Sequence, residues 1–334
     1  MKIAIIVDDL NSDRRRYCFW EERLSSLSGL EVELVSLSHQ KTEQKFFNIY
    51  YYDIIIFNWD TINNDVMFNS DRNQTIVKNS QEHFTHFVRE GGILIMENQA
   101  RYWHPVQDAY DSLLSGQVTV PKRILLENEE PSLAATARIN KQHKNHPLIH
   151  NLPSVLHSAY LHVPNFDWFP PGTVGSRTLQ GLHPTKIYSG AFQRWNAEWL
   201  PLLYTDDGKH PIMLVKTDGL GLWVVSTMYL ASSNIIVLIE NLIKTKNNLP
   251  AIRQYHTRYR RVRVAHALRA IAALIVVVIA VYTVLTLHII TLDIPFSNSL
   301  GGNIIISLLI TFLLWILSRL FNFILSSLRL AFNK

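Results

Sequence analysis

The chain has 334 residues, 48% of them hydrophobic and 18% charged, with a formal net charge of +5. This composition excludes a disordered chain, a collagen-like repeat and a small disulfide scaffold, and the single cysteine, Cys18, excludes an intrachain disulfide and a Cys-built zinc site. The charge is unevenly placed: residues 251–334 hold eight Arg, one Lys and one acid, a net +8, so residues 1–250 carry −3. The positive charge therefore lies beside apolar segments and does not mark a nucleic-acid-binding domain.

In chain order, Ile3 to Val7 is an apolar run cut short by two acids, too brief for a signal peptide and suited to a buried first strand. Phe19, Leu24 and Leu27 are the candidate core positions of a helix over Tyr17–Ser28 that Gly29 ends. Val32–Leu37 is a second strand. Asp53–Asn58, DIIIFN, is a third, apolar throughout as strands buried on both faces are. A helix over Gln74–Arg89 ends at Gly91-Gly92, and Ile93–Met96 is the next strand. The alternation predicts an α/β fold with a mainly parallel sheet covered by helices. Residues 105–200 are richer in Pro, His and Trp and less periodic, which predicts long loops and some antiparallel strands. Pro211–Val215, the turn Asp218-Gly219-Leu220-Gly221 and Leu222–Thr227 read as a hairpin. Asn234–Ile243 closes the domain as a helix, and Lys244–Pro250 reads as a short linker.

The remaining chain reads as a membrane hairpin. A basic juxtamembrane linker, residues 247–269, contains Arg253, Arg258, Arg260, Arg261, Arg263 and Arg269 and no acid. Ala270–Leu292 is 23 residues without a charge unless His288 is protonated, long enough for about 30 Å of hydrocarbon. A loop, residues 293–303, leads to a second apolar run, 304–325, in which Arg319 sits near the far interface where it can snorkel; residues 326–334 form the tail. The positive-inside rule places both termini on the cytoplasmic side of an inner membrane. The arginine flank, Arg258, Arg260, Arg261 and Arg263 in particular, is suited to anionic lipid headgroups, or serves only to set topology. On the second run Ser307, Thr311, Trp315, Ser318, Asn322, Ser326, Arg329 and Asn333 recur every three or four residues, one helical face. Such a stripe packs against the first helix, or lines a polar path in a homo-oligomer through Ser307, Thr311, Ser318, Asn322 and Ser326. The segment from Arg319 also has the option of lying flat at the interface.

The order of KIAIIVDD, DIIIFNWD, a helix followed by EGGILIMENQ, then NHPLIHNLP and finally HPIMLVKTDGLGLWVVSTMYLASSN resembles the class I glutamine-amidotransferase-like fold, closest to its ThuA-like and other non-amidotransferase branches. The resemblance covers residues 1–246 and implies a flavodoxin-like layered sandwich. It does not carry the amidotransferase reaction, which needs a nucleophilic Cys on a Gly-flanked strand-to-helix turn. After Ile93–Met96 this chain has Glu97-Asn98-Gln99-Ala100, and no Gly-x-Ser-x-Gly occurs.

Open α/β sheets bind ligands at the carboxyl ends of their strands. There this chain places Asp8 and Asp9, then Asn58, Trp59 and Asp60, then Glu97, Asn98 and Gln99. Three such clusters suit a polar ligand, directly or through a divalent cation on oxygen ligands; strand ends are also polar simply because they meet solvent. His143, His146, His150, His157 and His162 match no zinc signature, so no metal or cofactor is expected, and His146 reads as a structural residue at a proline turn. The aromatics Trp168, Phe169, Phe192, Trp195 and Trp199 suit stacking on a base or sugar, or core packing.

Three functions are consistent with these features. The first is a membrane-anchored sensor or scaffold without amidotransferase chemistry, of the kind seen in bacterial antiviral membrane effectors. The second is a membrane-tethered ThuA-like hydrolase or carbohydrate-related enzyme using Asp9, Asp60 or Glu97. The third is an accessory subunit of a larger membrane complex.

Overall fold

The computed structural model describes residues 1–7, 20, 24, 27–37, 48–58, 61–62, 70–97, 107–119, 136–157, 191–205, 207–228, 230, 236–292 and 319. Two compact units follow one another along the chain, Met1–Arg253 and Gln254–Lys334. The first reaches several residues beyond the boundary expected at 246.

In the first unit, β1 (Lys2–Val7), β2 (Glu31–Ser36), β3 (Ile54–Phe57), β4 (Ile93–Met96), β5 (Val118–Thr119), β6 (Thr136–Ile139), β7 (Val155–His157), β8 (Arg194–Trp195), β9 (Leu200–Thr205), β10 (Pro211–Asp218) and β11 (Gly221–Ser226) alternate with α1 (Ser70–Asn79), α2 (Gln81–Arg89) and α3 (Gln107–Leu114). Nine strands form one sheet in the order β2-β1-β3-β4-β11-β10-β9-β6-β7. The pairings β1 to β2, β1 to β3, β3 to β4 and β4 to β11 are parallel. Those of β10 with β11 and β9, and of β6 with β9 and β7, are antiparallel. The α/β sheet is thus mixed, with the expected parallel pairings at one side and antiparallel pairings at the other. The antiparallel pairing of β10 with β11 follows from the expected two-residue turn after Asp218, because a tight turn joins only antiparallel neighbours.

The apolar runs behave as their composition dictates. Every residue of β3 and β4 is buried, because α/β strands at a sheet centre are covered on both faces. The helix expected over Gln74–Arg89 is two helices, α1 and α2, separated at Ser80. The glycine turn serves packing: a Cβ on Gly219 or Gly221 would run into the backbone of Arg89, Val88 or Gly92. Leu220 N–H donates to the Arg89 carbonyl (2.8 Å) and Leu222 N–H to that of Gly92 (3.1 Å). Of the aromatic set, Trp199 and Phe192 are buried, with Trp195 packed against the same core; Trp168 and Phe169 lie outside the described residues. His146 is buried, and its Nδ1 accepts from Leu148 N–H (3.2 Å), a structural role at the turn.

One helix, α4 (Ile236–Leu292), runs through the segment read as a linker, with Pro250 inside it. The expectation that the closing helix ends at Ile243 and gives way to a short linker over Lys244–Pro250 is corrected: that stretch is helical, as are residues 251–269 beyond it. Proline removes one helix hydrogen bond, but Leu238, Leu242, Thr245, Leu249 and Ile252 are all buried at spacings of four, three, four and three. That continuous buried face holds the helix across the proline. Polar ties add to it: Lys246 Nζ donates to the Gly91 carbonyl (3.0 Å) and pairs with Asp53 (3.3 Å), whose other oxygen accepts from the Lys2 amide (2.9 Å). Beside them Tyr52 donates to Glu33 (2.6 Å) while Lys2 pairs with Glu31 (3.0 Å). Burial first, and then the bond to Glu33, push the Tyr52 phenol well above its usual range. The Glu31 hydrogen bond raises the Lys2 ammonium.

In the second unit α4 is the one helix, among the described residues, long and apolar enough to cross a membrane, and only 11% of its most apolar window is buried. Ile271, Leu274, Ile275, Val276, Val278, Ile279 and Tyr282 are exposed, while Ala270 and Ala273 are buried with Val277 packed against them. The second expected span, 304–325, lies outside the described residues except for Arg319, which is helical and exposed.

Candidate functional site at the strand ends

Of the eight residues expected at the carboxyl ends of the parallel strands, Asp8, Asp9, Trp59, Asp60, Asn98 and Gln99 lie outside the described residues. The other two, Asn58 and Glu97, are brought side by side. Phe57 pairs with Met96 in parallel register, and Glu97 N–H donates to the Phe57 carbonyl (3.1 Å), so each residue is the first beyond its strand.

Both are interior groups. Glu97 is 1% exposed and Asn58 5%. The carboxylate Oε2 of Glu97 accepts from the indole Nε1–H of Trp20 (2.9 Å), a buried bond across 77 residues of sequence. Trp20 itself is fully buried, as is Leu24 four residues on, while Leu27 is half-buried. Trp20 and Leu24 are both helical and buried, a spacing of four that places them on one helical face. A charged side chain taken from water needs such donors, since an unpaired buried carboxylate is far more costly than a paired one.

Neighbouring strand ends are capped by the chain's own polar groups. Thr61 Oγ1 donates to the Ile6 carbonyl (3.3 Å), and Asn73 Nδ2 to that of Thr61 (3.0 Å). Tyr110 Oη donates to the Ser226 carbonyl (2.8 Å). Thr61, Asn73, Tyr110 and Ser226 are all buried. The described part of the crevice is therefore a closed polar cluster. The indole N–H engages one carboxylate oxygen of Glu97 and ties Trp20 to the end of β4.

Trp20 is the functional neighbour that sequence reasoning missed. The signal was present in the spacing of Trp20 to Leu24, which marks a helical face, but nothing local ties that face to Glu97. No group of three or more His, Cys, Asp or Glu suited to a metal ion occurs among the described residues. In the arginine flank, Arg258, Arg260 and Arg261 are exposed and Arg263 is half-buried over the Tyr259 ring (5.8 Å). Ser307, Thr311, Ser318, Asn322 and Ser326 lie outside the described residues.

No family model and no curated protein matches the chain. Among solved structures it is similar to the β-galactosidase from Bacillus circulans sp. alkalophilus, at 9% identity over 73% of this chain and 31% of that one, with a TM-score of 0.41. It is also similar to a β-galactosidase from Rahnella sp. R3, at 11% identity over 74% and 31% with a TM-score of 0.40. A third is the exo-β-1,4-mannosidase Op5Man5 from Opitutaceae bacterium strain TAV5, at 10% over 76% and 35% with a TM-score of 0.34. The chain spans about a third of the length of each of these proteins, and at this similarity nothing of their activity transfers to it.

Proposed function

We propose that the chain is a membrane-anchored sensor or scaffold. Its α/β domain binds a ligand or partner and passes its state to a two-helix membrane hairpin, as in a bacterial antiviral membrane effector. The observation that carries this reading is the continuity of α4: the residues that close the α/β core and the apolar residues suited to a bilayer belong to one helix. Support for a second span comes from the first, whose small residues Ala270 and Ala273 lie on a covered face. Small residues are the type that lets two helices approach closely in a membrane.

The test is the mass of the full chain in detergent, wild type beside a double Ser318→Leu, Asn322→Leu variant, together with the membrane potential of cells expressing each. A defined oligomer that depolarises cells, and loses both properties in the variant, is the expected result. A monomer whose expression leaves the potential unchanged would remove the basis for the reading.

A further inference from the structure

We infer that α4 between Arg258 and Arg269 is a collar for the phosphates of anionic phospholipids in the leaflet it enters. This deepens the proposed function and rests on its membrane span. Residues 254–269 contain five arginines and no acid. With Arg258 set at zero, 3.6 residues per turn put Arg269 at about 20°, Arg260 at about 200° and Arg261 at about 300° around the axis. All four are exposed.

The remaining side of the helix carries Tyr255, His256, Tyr259, Arg263, His266 and Ala270, each buried or half-buried. Over the open surface, then, each of the four exposed arginines is no more than about 100° from the next. Val262, Val264 and Leu268 are exposed on that same surface. They interleave with the arginines, at about 40°, about 240° and about 280°. A helix lying in the plane of the interface separates its charged face from its apolar face. This segment does not, and an unsorted collar fits a helix that crosses the headgroup layer steeply, with phosphate on every open side.

The length agrees. Arg258 to Arg269 rises about 17 Å, against a headgroup layer of about 5–8 Å plus a Debye length of about 8 Å. Guanidinium groups bind phosphate in bidentate fashion. The occupant is lipid because the collar runs directly into the apolar segment that begins at Ala270.

The experiment reconstitutes the full chain in phosphatidylcholine vesicles containing a minor fraction of phosphatidylglycerol, re-extracts it in mild detergent and measures the retained lipids by mass spectrometry. Each arginine near an anionic surface favours binding about fivefold, so the wild type is expected to retain phosphatidylglycerol at least fivefold above its share of the vesicle. A variant with Arg258, Arg260, Arg261 and Arg269 all changed to Gln should return to that share, and the corresponding Lys variant should keep most of the enrichment. Retention at the bulk ratio in the wild type, or enrichment unchanged in the Gln variant, overturns the collar. So does an acidic protein or nucleic acid retained in place of lipid. Extraction of the wild type from vesicles by alkaline carbonate overturns the collar and the membrane span together, whereas carbonate resistance without enrichment overturns the collar alone.

Discussion

The two halves of α4 both carry large apolar side chains, on one face of a polar helix in the inner half and all round in the outer half, and those side chains meet different surroundings. Up to Ile252, Leu238, Leu242 and Ile252 are each 0% exposed. Beyond Ala273, Leu274, Ile275, Val278 and Ile279 are 52–60% exposed and Tyr282 is 71% exposed. A contiguous apolar surface of that length is unfavourable in water by about 25 cal/mol per Å² and is rare on a soluble monomer. One half of the helix thus lays an apolar face into a protein interior, and the other, apolar all round and exposed, is the candidate membrane span.

The strongest way to break this contrast is to place charge on the outer half. Ile275→Arg with Ile279→Arg costs about 2.5–3.5 kcal/mol per residue at the centre of a span, so the double variant should leave the carbonate-resistant membrane fraction in cell fractionation. Next in size, Leu242→Ala removes a fully buried side chain and should destabilise the α/β unit by about 2–5 kcal/mol. Leu274→Ala, outside any protein core, should leave the unfolding midpoint of that unit unchanged when the full chain is denatured in detergent.

A smaller effect sharpens the picture of the inner half. Glu97→Ala strands the Trp20 indole N–H in the interior and should cost about 1–3 kcal/mol in the same measurement, whereas Glu97→Gln keeps an acceptor and should cost about 1 kcal/mol or less. The smallest effect is on pH dependence. The folded-state values of Tyr52 and Lys2 lie above their unfolded ones. Their contribution is therefore complete below about pH 10 and lost as pH rises through the folded values. The thermal midpoint of the α/β unit should fall between neutral and strongly alkaline pH, and Tyr52→Phe should flatten that fall.

Much of this was legible in the chain. Ile3 to Val7, DIIIFN and Ile93–Met96 are strands because an unbroken short apolar run has no solvent-facing side to offer, and Asp218-Gly219-Leu220-Gly221 is a turn because its glycines fit where a Cβ would strike the end of α2 or Gly92. The extent of the antiparallel pairing was not legible. The pairing of β6 with β9 joins segments more than 60 residues apart, and pairing across such a distance leaves no local mark. Pro250 read as a boundary because a proline disrupts a helix by itself; the buried row from Leu238 to Ile252 overrides it. At the strand ends the polar residues were visible, but the 77-residue reach from Trp20 to Glu97 that closes the cluster was not.

The division within α4 can be read directly by cysteine labelling. Since Cys18 is the sole cysteine, a Cys18→Ser background carrying Ile275→Cys or Val278→Cys gives one reporter at a position that is solvent-accessible in the isolated chain, 54% and 60% exposed respectively. In native membranes an impermeant maleimide should fail to label either position, and labelling should appear only once the protein is denatured. Rapid labelling of both in intact membrane preparations would show that the outer half of α4 faces water and is not a membrane span.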